Sequence, residues 1–164
     1  MVYRLPGCRL SARTLAERLD DEPGVDVALV REDGVAVARR ERAELRFAPG
    51  PDRFRLEGDS RVLDPTLYPN GLERAWAALA STRSGDVLVS AADGFEFADL
   101  GGSHHAGGGS HGSLLAGDSL VPVLACGLET ALPAEPRITD LKGLALAHLG
   151  IEPGARVTEA AHAS

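Results

Sequence analysis

Between Gly101 and Gly112 the chain reads Gly-Gly-Ser-His-His-Ala-Gly-Gly-Gly-Ser-His-Gly, with no side chain that can contribute to a hydrophobic core. Any fold must take its core from the flanks and carry this stretch as a loop. The 164 residues suffice for one compact domain with a real core and are too few for two ordinary ones with a linker. We read the chain as one domain or a piece of one. Hydrophobic residues at 44% and charged residues at 25% are near the averages for soluble proteins, which argues against wholesale disorder.

The longest apolar runs, such as Val121 to Cys126, fall far short of the roughly 20 residues that a membrane-spanning helix needs. The start, Met-Val-Tyr-Arg-Leu-Pro, lacks the apolar stretch of a secretory signal, so the expectation is no membrane and, with Met1 as the true start, the cytoplasm by default. Seventeen basic against twenty-four acidic residues give a formal charge of −7, which argues against nucleic acid as a partner. Cys8 and Cys126 are far apart and have no CxxC companion, so they read as small buried apolar groups rather than a disulfide or thiolate site.

The first sixty residues carry clear periodicities. Val2 to Leu5 reads as a short strand, closed by Pro6-Gly7. Ser11 suits an N-cap, and Ala12, Leu15, Ala16 and Leu19 follow at helical spacing until Pro23-Gly24. Val25, Val27 and Leu29 then alternate with Asp26 and Ala28, and Asp33-Gly34 supplies a tight turn before Val35 and Val37. Ala43, Leu45 and Phe47 form a third strand, and Phe54 and Leu56 a fourth after the Pro49 to Asp52 turn. The expectation is a helix on an antiparallel meander of up to four strands. The cluster Arg39-Arg40-Glu41-Arg42 reads as a solvated turn without functional role.

Leu72, Ala75, Trp76 and Leu79 form the inner face of a second helix, with Trp76 as a core anchor. Val87-Leu-Val89 and Val121 to Ala125 are continuous apolar runs that suit strands buried on both faces, as in an α/β sheet. His104, His105 and His111 lie in the glycine-rich stretch between them. Imidazole is the commonest protein ligand for zinc, and Asp93, Glu96, Asp99 and Asp118 flank the stretch as oxygen donors or orienting acceptors. The same composition also reads as a plain flexible loop.

Gly108-Gly-Ser110-His-Gly112 fits the G-x-S-x-G pattern of a nucleophile elbow, with Asp140 and His148 following in hydrolase order. An elbow needs a strand directly before its serine, and polyglycine stands there instead. Thr139 is placed to cap a last helix in which Leu141, Leu144, Ala145, His148 and Leu149 share a face, ending at Gly150.

From Gly85 to Ile151 the chain resembles the C-terminal end of the type I phosphodiesterase/nucleotide pyrophosphatase branch of the alkaline phosphatase superfamily. The residues that carry the resemblance are, in order, Asp86-Val-Leu-Val-Ser90, Gly94-Phe-Glu-Phe97, Gly109-Ser-His-Gly-Ser-Leu114, Asp118-Ser-Leu-Val-Pro-Val-Leu124 and Arg137-Ile-Thr-Asp140 through Leu149-Gly150-Ile151. The resemblance implies that His111 is a ligand in a two-metal site holding zinc or another divalent metal, and that the substrate is a phosphate ester. It also implies a mixed α/β (α+β) fold: an antiparallel meander-plus-helix subdomain, insert-like, over residues 1–62, and the C-terminal part of an alkaline-phosphatase-like core over residues 63–164.

The family's Asp-His-Gly motif occurs nowhere in this sequence, and no residue is assigned as nucleophile. The expectation is therefore the C-terminal part of a longer metal-dependent hydrolase, inactive alone and prone to self-association through apolar surface. The alternative is a non-catalytic module that binds a metal or a partner through the Gly/His loop.

Overall fold

A computed structural model describes residues 1–98 and 111–152. Two compact units divide the chain, residues 1–120 and 121–164. The first is an α+β unit built on one antiparallel five-stranded sheet with strand order β4-β3-β2-β1-β5: β1 Val25–Glu32, β2 Val35–Arg40, β3 Ala43–Gly50, β4 Arg53–Gly58 and β5 Leu88–Ala91.

Helix α1, Ala12–Asp20, begins as its sequence requires, with the Ser11 hydroxyl accepting the Thr14 N–H at 3.0 Å. It buries Ala16 against Ala28, Val30 and Val87 on one face of the sheet. Helix α2, Gly71–Ala80, and a 3₁₀ turn at Ser60–Leu63 cover the other face, where Val27, Leu29, Leu45, Phe47, Tyr68, Ala75 and Leu79 form the larger core. Trp76 stands at the rim of this core rather than its centre. Its ring meets Phe54 edge-on at 6.3 Å and carries the Arg31 guanidinium 4.8 Å from its centroid.

Both central hairpins turn through two residues at positive φ. The β1–β2 turn uses Asp33 and Gly34, as its sequence announces. The β2–β3 turn uses Glu41 (φ 52°) and Arg42 (φ 66°), which have no glycine or asparagine to relieve the left-handed conformation. The Asp20 carboxylate holds that turn by accepting the Arg42 N–H at 2.9 Å.

The expected solvated cluster is thus only half a turn. Arg39 and Arg40 belong to β2, and the Arg39 side chain is only 15% exposed, paired with Glu44 at 2.7 Å. Arg40 reaches Asp26 at 3.0 Å, and the Tyr68 hydroxyl donates to the same carboxylate at 2.8 Å. A register shift between Val25 and Val27 makes this meeting possible. Val25 packs with the α1 cluster and Val27 with the opposite core, so the regular alternation breaks at Asp26.

Other elements depart from the sequence reading. Val2 makes a single bridge to Val87 rather than a strand, secured by the Asp86 carboxylate, which accepts the Arg4 N–H at 2.8 Å and pairs with its guanidinium. The run at Val87 is buried on both faces, but its strand β5 lies antiparallel beside β1, in the same sheet as the meander. Val121 to Ala125 is not a strand. Val121 and Leu124 are exposed, because among the described residues no neighbouring strand satisfies this backbone. Cys8 and Cys126 are exposed free thiols, not buried groups; each lies in an irregular segment that is never drawn into either core.

In the second unit, a 3₁₀ turn at Ile138–Asp140 runs into α4, Leu141–His148. Asp140, not Thr139, secures its start by accepting the Arg137 N–H at 2.8 Å. Gly150 at φ 65° ends it with the paired bonds of a Schellman motif, Gly150 N–H to Ala147 and Ile151 N–H to Leu146. No helix among the described residues is long and apolar enough to cross a membrane.

Two outcomes test this account. Burial, reinforced by the bond to Asp26, pushes the Tyr68 hydroxyl pKa up from its ordinary value near 10. An unfolded tyrosine ionises first, so this stabilisation is full below about pH 10 and falls as the pH rises further. Tyr68→Phe flattens that alkaline fall and lowers stability at neutral pH by about 1–2 kcal/mol, read from urea unfolding. Glu41→Asn relaxes the strained turn and raises stability by up to about 1 kcal/mol in the same assay.

Candidate functional site

Residues 111–120, the segment at the end of the glycine-rich stretch, return onto the core and are held there by a small set of polar side chains. Ser90, a buried hydroxyl in β5, accepts the Leu114 N–H at 2.9 Å. The Asp118 carboxylate accepts the Ser113 N–H at 3.1 Å, and Ala116 donates to the Leu67 carbonyl at 2.8 Å as the short helix α3, Ala116–Ser119, begins. Leu114 and Leu115 pack onto the larger core.

Arg74 is the strongest of these ties. From α2 its guanidinium donates to the carbonyls of Ser113 (3.0 Å) and Leu114 (3.1 Å) and to the Ser119 hydroxyl (2.6 Å). Burial draws its pKa below the usual arginine value, against the attraction of Asp118. It makes no ion pair within 4 Å among the described residues, so neutral oxygens take nearly all its hydrogen bonds.

On the other side, β5 ends in the turn Ala92 to Phe95. Phe95 donates to the Ala92 carbonyl at 3.0 Å, and Gly94 supplies the positive φ (77°) that the turn requires. The Phe95 ring lies against Gly24, where an added Cβ would stand 3.1 Å from it. Between this turn and the return segment is a cleft of about 490 Å³, lined by Asp93, Phe95, Glu96, Phe97, His111, Ser113 and Asp118.

Four of the residues singled out in the sequence, His111, Asp93, Glu96 and Asp118, therefore share one cleft. No hydrogen bond reaches the His111 imidazole among the described residues, whereas Asp118 is engaged by the Ser113 main chain. His104, His105, Asp99 and Ser110 lie outside the described residues. Asp140 and His148 belong to the second unit, at the start and end of α4.

Zinc or another divalent metal, as the resemblance implies, asks for several donors at bonding distance. The described residues contain no cluster of three or more His, Cys, Asp or Glu arranged to hold one. Among the described residues His111 is the single imidazole in the cleft. Arg74 and Ser90 escaped the sequence reading. Arg74 sits off the apolar face of its helix among ordinary surface charges, and only the burial of Ser90 at the end of an apolar strand hinted at a role.

Arg74→Lys replaces a planar fork by a point charge that cannot span both carbonyls and the Ser119 hydroxyl. Amide hydrogen exchange across residues 111–119 should then rise about tenfold or more while β1 to β3 stay protected. Comparison with protein-family models, with curated proteins and with solved structures finds no match to this chain.

Proposed function

We propose that this chain is the C-terminal part of a metal-dependent hydrolase of phosphoric esters, of the phosphodiesterase/nucleotide pyrophosphatase kind, and that His111 is its contribution to the metal centre. The observation that carries this reading is the state of His111. Its imidazole lines a cleft with Asp93 and Asp118 and has no hydrogen-bond partner among the described residues, while the segment that follows it is pinned by Arg74, Ser90 and Asp118. An unengaged imidazole has a ring nitrogen free to ligate a metal, and the cleft carboxylates are candidates to orient its other N–H.

Further support comes from the second unit. Val121, Leu124, Ile138 and Leu149 are exposed, Leu124 to 93%. Several exposed large apolar side chains in one small unit normally cover, or are covered by, another part of a core. The remaining donors and the nucleophile belong, on this reading, to other parts of a longer protein. Within this chain His111 offers a neutral imidazole nitrogen, and the Arg74 tie fixes the main chain that follows it.

The test uses the protein isolated from its own cells, with bis(p-nitrophenyl) phosphate as probe. Chelator-sensitive hydrolysis, lowered about a hundredfold or more by His111→Ala with the melting temperature retained, is the expected result. Hydrolysis that survives the substitution, or its absence from the native protein, would overturn the proposal. The 164-residue chain alone should show no turnover.

A further inference from the structure

The sheet ends at β4, and the geometry of that edge points to a specific occupant. On β3, Asp59 beyond the end of β4 donates to the Glu44 carbonyl at 2.8 Å, in the same register that pairs Arg46 with Glu57 and Ala48 with Arg55. Antiparallel strands alternate bonded and non-bonded pairs. Residues 55 and 57 therefore spend their main-chain groups on β3, while those of Phe54, Leu56 and Gly58 face outward. No hydrogen bond to these outward groups is present among the described residues.

The side chains on this strand are as telling. On the sheet face that α1 partly covers, neighbouring charges are matched within the chain: Arg13 with Glu32 and Glu44, Arg39 with Glu44, and Arg46 with Glu32. Arg55 and Glu57 share that face, are exposed, and have no ion pair among the described residues. The opposite face of β4 carries Phe54 and Leu56, the latter 48% exposed.

We propose that β4 pairs antiparallel with β4 of a second copy of this chain across a twofold axis at Leu56, joining two five-stranded sheets into one. The charges select this register from the others that place outward groups opposite outward groups. A twofold at Arg55 sets that arginine against itself, one at Glu57 does the same for the glutamate, and one at Phe54 sets Arg55 opposite Arg53, which already pairs with Glu73 at 2.7 Å, and Glu57 opposite Pro51, so that neither charge is matched. With the axis at Leu56, Arg55 faces Glu57 of the second copy twice, in the closely spaced non-bonded positions. Leu56 meets its own counterpart, and Phe54 and Gly58 exchange main-chain bonds. Like charges directly opposite oppose pairing and unlike ones favour it, so one strand encodes both the attraction and the register.

The test is sedimentation velocity of the full chain over a wide concentration range, with charge reversals on an exposed strand face. The chain should show a reversible monomer–dimer equilibrium. Arg55→Glu and Glu57→Arg should each weaken it about tenfold or more while far-ultraviolet circular dichroism is retained, because each places like charges across both symmetric pairs. The double variant Arg55→Glu/Glu57→Arg should restore the dimer to within about threefold of the parent. A chain that stays monomeric overturns the proposal. So does association indifferent to the single reversals, which would assign it to the apolar residues of the second unit, and so does a double reversal that fails to restore it.

Discussion

Strand β1 is buried on both faces, and the rest of the first unit follows from that. Ala28 and Val30 face α1, while Val27 and Leu29 face α2, so an apolar run in the middle of the sheet needs cover on two sides. A four-stranded meander with one helix would leave one of these faces wet. The chain resolves this by sending α2 across the second face and returning β5 to the free edge of β1, where Val87 and Leu88 repeat the two-sided burial. The break in alternation at Asp26 belongs to the same solution. It converts one position of the strand into an acceptor for Tyr68 and Arg40, tying the connection before α2 to the sheet by charge-assisted hydrogen bonds rather than by apolar contact alone.

The face that α1 only partly covers is handled by charge. Arg13, Arg39 and Arg46 interleave with Glu32 and Glu44 across three strands and the helix. Each exposed pair is worth little alone, typically below about 1 kcal/mol. Their arrangement nevertheless discriminates, since a register slip of one residue would carry the whole set into the apolar core on the other side. The network thus specifies strand pairing more than it adds stability. Its boundary at β4, where the matching stops, is also where the sheet stops.

Much of this was legible in the sequence, for identifiable reasons. Period-two alternation with Asp33-Gly34 between the runs announces β1 and β2, and Ser11 with the spacing of Ala12, Leu15, Ala16 and Leu19 announces α1. The β2–β3 turn is hidden because Glu41 and Arg42 adopt left-handed backbone without the residues that usually mark it, so Arg39 and Arg40 looked like turn rather than strand. The direction of β5 was not readable either. Burial on both faces is common to a parallel strand between helices and to an antiparallel strand covered by α1 and α2, and pattern alone does not separate them. Val121 to Ala125 shows the converse limit, since apolar character without a pairing neighbour does not make a strand. At the cleft, the histidine and the carboxylates were legible as donor types, but the residues that hold the return segment were not. Arg74 acts through carbonyl oxygens, and no sequence pattern records which main-chain atoms a side chain will reach.

Rigidity in the return segment comes from this same side chain. A buried guanidinium usually meets a carboxylate, and its field is then largely cancelled. Arg74 instead bonds to the carbonyls of Pro69, Ser113 and Leu114 and to the Ser119 hydroxyl, with Asp118 acting on it only at a distance while bonded to the Ser113 N–H. Neutral acceptors satisfy its donors without neutralising its charge. The lowered pKa reflects the penalty of burial, yet the group still carries its proton at neutral pH. The cleft itself is lined by the carboxylates of Asp93, Glu96 and Asp118 beside His111, and Arg74 acts behind it on the main chain. Arg74 thus fixes the backbone of residues 113–119 with no carboxylate paired to it among the described residues, which is why so short a segment stays against the core.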